Sequence, residues 1–288
     1  MSTTTKTRHK TLEVDGLKIF YRRAGDPARP TVLMLHGVPS SSHMFRHVIP
    51  SLAEVADVVA PDLPGQGFSA SPTVDEYDYT FENLSRVIEA LLKELGIKQF
   101  YLYLNDFGTP VGYHLATRHP ERVLGLIVQN GNAHEEGLGE QWEAPKAFWA
   151  DPSAENRARL PEWLNFEGTR DTYIGGLPAQ LRELHPPEAW HLDWERMTRP
   201  GNIEVHFKLF TDYAAHVARF PAITDYHREH QPPCLLLWGR RDPYFDFEEI
   251  LGYHRTLDHV QMHVYDAGHF LLETHGQECA ELIKDFIG

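Results

Sequence analysis

The sequence predicts an α/β protein: a mostly parallel, doubly wound sheet wrapped by helices and interrupted by an inserted helical cap. Three observations carry that prediction. Short β-rich runs alternate with amphipathic helical stretches through the first half of the chain. Residues able to do chemistry cluster where those runs end. Between about residues 132 and 221 the alternation gives way to Trp, His, Glu and Pro mixed with short helical pieces, and strand character then resumes.

Residues 17–22 and 31–35 read as strands about a turn at Ala24-Gly25-Asp26-Pro27. An amphipathic stretch around residues 45–53 leads to a strand at 57–60. A helix over 81–95 carries Leu84, Val87, Ile88, Leu91, Leu92 and Leu95 on one stripe and stops at Gly96. A strand at 99–104, a helix opening near Gly108 and a strand at 123–128 follow. After the insertion come strands at 233–238 and 260–264. The domain organisation read from this pattern is a core part at 1–132, a helical cap at 133–221 and the rest of the core at 222–288. The cap holds Trp142, Trp149, Trp163, Trp190 and Trp194, five of the six Trp. That density suits a lid with aromatic groups over an apolar pocket, although any one of these Trp could instead be packing the cap itself.

Composition bounds the function. A chain of 288 residues with 42% hydrophobic side chains, 20 Pro and 21 Gly builds one large domain or a core with an insertion, and excludes a disordered or collagen-like chain. A net charge of −14 argues against nucleic acid or an anionic membrane as partner. Only Cys234 and Cys279 occur, the first inside an apolar run, so no disulfide framework is expected and a reducing, cytoplasmic address is the simplest reading. The first ten residues lack an apolar segment and nowhere do eighteen apolar residues run together, so neither signal peptide nor membrane span is expected. Eighteen His form no HxH or HExxH pair and there are no Cys pairs, so no metal site is predicted.

In a doubly wound sheet the reactive groups belong at the carboxyl ends of the strands. Those ends read His36-Gly37-Val38-Pro39, Asp62-Leu63-Pro64-Gly65-Gln66-Gly67, Asn105-Asp106-Phe107-Gly108, Gln129-Asn130-Gly131, Arg240-Arg241-Asp242-Pro243 and Asp266-Ala267-Gly268-His269. Asp106 sits where a strand must turn sharply into a helix, so the helix N-terminus would keep its carboxylate anionic and poised as a nucleophile. Taken alone it could simply cap that helix, and Asp242 before Pro243 could be an ordinary turn residue. Together with His269 they make a set. A carboxylate nucleophile forms an ester that water must clear, which needs a base of near-neutral pKa and an acid to orient it. His269 and Asp242 fit those roles. The backbone N–H groups of Val38 and Phe107 would hold the oxyanion formed when water attacks the acyl carbon. Gly37 permits the close approach, and His36 is expected to pack and hydrogen-bond within its loop.

These motifs, in this order and spacing, resemble the α/β-hydrolases with a cap domain, in the branch of the epoxide hydrolases and haloalkane dehalogenases. The resemblance implies an α/β-hydrolase fold, Asp106 as nucleophile, Asp242 as acid and His269 as the base that activates water. Some relatives carry the acid where this chain has Asn130, which leaves Asp242 for that role. Leu104 departs from the small residue usual in many α/β-hydrolases two places before the nucleophile. Haloalkane dehalogenases typically have a Trp after the nucleophile to grip halide, where this chain has Phe107, which cannot donate. Haloacetate dehalogenases have Arg just beyond, and residues 109–115 contain none. Epoxide hydrolases imply two cap tyrosines that protonate the opening ring; Tyr213 matches the second and Tyr173, more weakly, the first. The expected function is thus cofactor-free hydrolysis of a small, mostly apolar epoxide to a diol, in a monomer or homodimer whose partners are that substrate and water. One alternative is carbon–halogen hydrolysis with halide held by a cap Trp or Asn105. Another is a ligand-binding protein that keeps the pocket without turnover.

Overall fold

The computed structural model describes residues 6–288. Eight strands form one sheet: β1 (Arg8–Val14), β2 (Leu17–Ala24), β3 (Thr31–Leu35), β4 (Asp57–Pro61), β5 (Phe100–Asn105), β6 (Val123–Gln129), β7 (Cys234–Gly239) and β8 (Val260–Tyr265). Their order across the sheet is β1-β2-β4-β3-β5-β6-β7-β8. From β4 to β8 all pairings are parallel, while β1 with β2 and β2 with β4 are antiparallel. The order reverses between β3 and β5, so the loops after those strands open a crevice there.

Strand β1 is the element that the alternation of apolar runs did not predict. Its sequence RHKTLEV is polar and mostly exposed because it is an edge strand. A local signal for it was present nonetheless: Asp15-Gly16 both have positive φ, at 50° and 79°, forming the two-residue turn that joins β1 to β2.

The central strands are buried on both faces and read as continuous apolar runs, TVLML in β3 and CLLLWG in β7. Alternate residues serve two separate cores. Leu33, Leu102, Leu126 and Leu236 face one layer, which contains α2 (Phe81–Glu94) and α3 (Gly108–Arg118). Val32, Tyr103, Ile127 and Leu235 face the other, which contains α1 (Ile49–Leu52) and α12 (Leu271–Ile287). Helix α2 buries Leu84, Val87, Ile88, Leu91 and Leu92 of the predicted stripe, with Leu95 half-buried at its C-cap; it starts at Thr80, whose hydroxyl accepts from Asn83 N–H, and is followed by Gly96 at φ 70°.

Between β6 and β7 the chain leaves the sheet and forms α4 (Glu143–Ala150), α5 (Ala154–Arg157), α6 (Phe166–Ile174), α7 (Ala179–Arg182), α8 (Pro187–Met197), α9 (Asn202–Val217) and α10 (Phe220–His230). Helix α10 returns to pack on α3 and on α11 (Glu249–Thr256). No helix of the described residues is long and apolar enough to cross a membrane.

Candidate active site

The sequence of β5 runs straight into α3 through Asp106, and the backbone there is held in an unusual conformation. Asp106 has φ +46°, a left-handed geometry that a side chain tolerates only when its surroundings enforce it. Those surroundings are visible. Asp106 N–H donates to Asn130 O at 3.1 Å, and Thr109 N–H donates to Asp106 O at 2.9 Å. A Cβ on Gly108 would collide with the Leu35 carbonyl, and one on Gly37 would collide with the Asp106 side chain. Glycine is therefore required at both positions, so that β3 and the β5–α3 turn can close on each other.

The carboxylate is 6% exposed, and its Oδ1 accepts hydrogen bonds from Val38 N–H at 2.8 Å and from Phe107 N–H. The two predicted oxyanion donors thus converge on one oxygen of Asp106, leaving Oδ2 outside that grip. Burial pushes this carboxyl up to about 6, against the opposing pull of His269 and of the two N–H donors.

His269 follows β8 and is buried. Its Nδ1 lies 2.7 Å from Asp242 Oδ2, and Nε2 has no partner among protein atoms. Burial favours the neutral ring, but the Asp242 carboxylate outweighs it and the pKa stands above the usual histidine value. With Nδ1–H donated to Asp242, the free Nε2 lone pair is available to take a proton. Asp242 Oδ1 in turn accepts from Tyr244 N–H at 2.8 Å and Phe245 N–H at 3.3 Å, an Asx-type turn that fixes the carboxylate on the loop after β7. Asn130 takes a different part from an acid. Its amide donates to Gly239 O at 3.1 Å and accepts from Gly239 N–H at 2.9 Å, tying the end of β6 to the end of β7.

Asp106, His269, Val38 and Phe107 all line one cavity of about 420 Å³. Its walls are largely apolar, with Trp142, Trp163, Phe210 and Phe245 contributing aromatic surface, and Thr172 and Tyr244 adding hydroxyls. Exposed Glu140 and Arg159 also line it. Tyr244 and Thr172 were not singled out in the sequence; the available signal for Tyr244 was its place two residues beyond Asp242 at a strand end.

Four other residues singled out in the sequence lie outside the cavity wall, one of them, His36, in the loop-fixing role expected of it. Tyr173 donates its hydroxyl to Asp193 Oδ2 at 2.5 Å and stacks on Phe270 with ring centroids 3.8 Å apart; it is absent from the cavity wall. Tyr213 is fully buried against Phe107 and Trp142, at centroid distances of 5.9 and 4.9 Å. Its hydroxyl faces Asn132 without a well-formed hydrogen bond. Neither phenol lines the cavity, against the expectation: Tyr173 is taken up by Asp193 and Phe270, while the Tyr213 hydroxyl lies outside the cavity wall yet close enough for the Asp106 carboxylate to raise its pKa further. Asn105 points its amide at Gln129 O, 2.9 Å away, and lines no part of the cavity. His36 is buried with Nδ1 donating to Gly37 O at 2.9 Å and Nε2 accepting from Leu63 N–H at 3.0 Å, so both ring nitrogens are spent on the loop rather than on a ligand. Of the cap indoles, Trp142 Nε1–H donates to Tyr244 O at 2.8 Å and Trp149 Nε1–H to Phe210 O at 3.2 Å, whereas Trp163, in the cavity wall, has its indole N–H bonded to none of the described residues.

Sheet order, the turn at Asp106 and the inserted cap together define an α/β-hydrolase architecture, and comparison with known sequences agrees: the alpha/beta hydrolase fold family matches residues 30–276. The chain belongs to that family. It is 38% identical over 279 residues to an uncharacterized hydrolase of Saccharomyces cerevisiae, covering 96% of this chain and 95% of that protein. It is also similar to a cis-3-alkyl-4-alkyloxetan-2-one decarboxylase of Shewanella oneidensis, 28% identical over 291 residues, 96% of this chain and 87% of the relative. Epoxide hydrolase 3 of Xenopus tropicalis is 27% identical over 300 residues, 94% of this chain and 75% of the relative.

Proposed function

We propose that this protein hydrolyses a small, mostly apolar epoxide to a diol through a covalent ester on Asp106. The observation that carries the reading is the convergence of Val38 N–H and Phe107 N–H on Asp106 Oδ1. Donors so placed leave Oδ2 to attack a ring carbon, whose bond to oxygen breaks with its electron pair moving to oxygen. They also already bind the atom that becomes negative in the second step. There, His269 Nε2 takes a proton from water as the hydroxide adds to Asp106 Cγ, and Oδ1 becomes the oxyanion. Collapse expels the diol oxygen, which takes the proton back from His269 and leaves Asp106 to regain its carboxylate form. Asp242 holds the His269 ring and stabilises its charged form.

The epoxide reading is favoured over carbon–halogen hydrolysis because Phe107, next to Asp106, has no donor and the Trp142 and Trp149 indoles are bonded to backbone carbonyls; Trp163 is the indole left in the cavity wall to hold a halide, so a haloalkane belongs in the substrate panel. The oxetan-2-one relative supports a strained oxygen ring more broadly, so a four-membered lactone belongs in the substrate panel beside epoxides.

The test is intact-mass measurement of His269→Gln incubated with that panel. An adduct of the full mass of the epoxide should build up on the peptide containing Asp106, because ester formation survives and its hydrolysis does not. A diol product from the unmodified protein completes the case, whereas release of carbon dioxide from a lactone would move the substrate class to the four-membered ring. Absence of any adduct, together with ligand affinity unchanged by Asp106→Asn, would make the protein a binder instead.

A further inference from the structure

The reaction proposed above leaves a proton unaccounted for at its first step. An epoxide oxygen that departs as an alkoxide needs an acid beside it, and the two cap tyrosines that the resemblance offered do not line the cavity. We infer that Tyr244, which comes from the core loop after β7 rather than from the cap, gives its phenolic proton to the opening ring oxygen; the inference rests on the Asp106 reading.

Geometry narrows the choice. Tyr244 is the only phenol among the residues lining the cavity that holds Asp106 and His269. Its ring stands edge-on to the His269 ring, with centroids 5.9 Å apart. The other donors are committed or unsuited. Gln141 and Trp142 both donate to the Tyr244 carbonyl, at 3.2 and 2.8 Å, and Thr172 donates to Gly168 O at 2.9 Å. The Trp163 indole can donate a hydrogen bond but cannot surrender a proton at neutral pH. Arg159 is exposed and always charged.

The residue is also held in place. Its N–H is bound to Asp242 Oδ1, its carbonyl to the Trp142 indole, and its hydroxyl lies 3.5 Å from Thr172 Oγ1. One short loop therefore carries the acid that orients the base and, two residues on, the group that protonates the leaving oxygen. Cap residues Trp142 and Gln141 hold the backbone of that group, so the cap takes part in placing the proton donor. Burial raises the Tyr244 hydroxyl above its usual pKa, which keeps the proton on it at neutral pH.

As Asp106 Oδ2 bonds to carbon, the carbon–oxygen pair moves to oxygen, which takes the Tyr244 proton and leaves a tyrosinate. Ester hydrolysis then releases one proton net when Asp106 returns to the carboxylate, and the tyrosinate takes it up.

The experiment follows ester formation in the His269→Gln enzyme mixed rapidly with a phenyl-substituted epoxide, reading adduct mass and tyrosinate ultraviolet absorption together. Adding Tyr244→Phe should slow the adduct by about 100-fold or more and abolish the tyrosinate signal. The substitution keeps both backbone bonds of residue 244 and removes only the 3.5 Å contact to Thr172, whose hydroxyl retains Gly168 O; an unchanged unfolding temperature checks this. Adduct formation at an undiminished rate, or a tyrosinate signal that persists in the Phe variant, would overturn the assignment of Tyr244 while leaving Asp106 in place. No adduct even with Tyr244 present would remove the nucleophile, and this inference with it.

Discussion

At the strand ends of the core, the functional groups are set by backbone; in the cap, they are set by one side chain leaning on another. Asp106 is fixed by a left-handed φ, two main-chain hydrogen bonds to its backbone and two N–H groups on its carboxylate. Asp242 is held by two N–H groups of its own loop. In the cap, Tyr213 is positioned by Trp142, Trp149, Phe107 and Phe81, and Tyr173 by Phe270 and Asp193. Main-chain geometry is set by glycines and register, which a sequence displays. Aromatic packing admits several arrangements of similar volume, and a sequence does not say which was taken.

The largest effect should come from the core. Asp106→Asn keeps the shape of the side chain and removes the nucleophile, so turnover of the productive substrate should fall by about 10⁴-fold or more with little change in unfolding temperature. Retained turnover would show that the strand-end set is not what reacts. Gly37→Ala tests the backbone side of the comparison without replacing a reacting group. Its methyl would occupy the space of the Asp106 side chain, and a displacement of that kind costs about 100-fold in rate. Steady-state kinetics on the folded variant, with Gly276→Ala, where an added Cβ meets only ordinary contacts at 3.6 Å, as a control for replacing a glycine, read the difference.

The pH dependence sharpens the same contrast, because both titrating groups belong to the core. Asp106 must be anionic to attack, so kcat/KM should drop as the pH falls through about 6. His269 must be neutral to activate water, and its raised pKa means that this half is lost earlier as acid is added. Once Asp106 is esterified its negative charge is gone, removing one of the interactions that raise His269, so in the intermediate the His269 limb stands alone and lies lower than in the free enzyme. Rapid-quench mass measurement should find the ester fraction growing from neutral pH toward about 6. A flat ester fraction would mean that His269 does not govern the second step.

Particular residues show where the sequence was legible. The parallel order, the cap insertion and the candidate set Asp106, Asp242 and His269 at strand ends are patterns of period, turn chemistry and spacing; the structure places Asp106 and His269 on one cavity with Val38 and Phe107, and bonds Asp242 to His269. Strand β1 escaped because an exposed edge strand has no apolar period to display, even though Asp15-Gly16 marks its turn. Tyr173 and Tyr213 were matched by position along the insertion, but which hydroxyl reaches a cavity depends on how helices α6 and α9 rotate onto the core, and that rotation is decided by packing partners distant in sequence. Tyr244 escaped for the converse reason: its place two residues beyond Asp242 was the one signal, and that gains meaning only once the loop is known to be pinned by Asp242 and Trp142.

Within the cap the expected effects are on stability rather than rate. Tyr173→Phe deprives buried Asp193 of its hydroxyl donor, at a cost of about 1–3 kcal/mol in urea unfolding, with epoxide opening unaffected. Tyr213→Phe should do less still. Its hydroxyl is buried and finds no well-formed partner, so removing it sheds an unmet desolvation cost and should leave stability unchanged or raise it by about 1 kcal/mol. Its ring, which carries the contacts to Trp142 and Phe107, survives the change. The decisive measurement is the rate of ester formation with an epoxide: equal rates for the protein and Tyr213→Phe keep the proton donor on the core loop. A fall comparable to that of Tyr244→Phe would mean that the cap turns its phenol toward Asp106 when substrate binds, and the division between backbone-set and packing-set groups would then fail at the residue where it matters most for the chemistry.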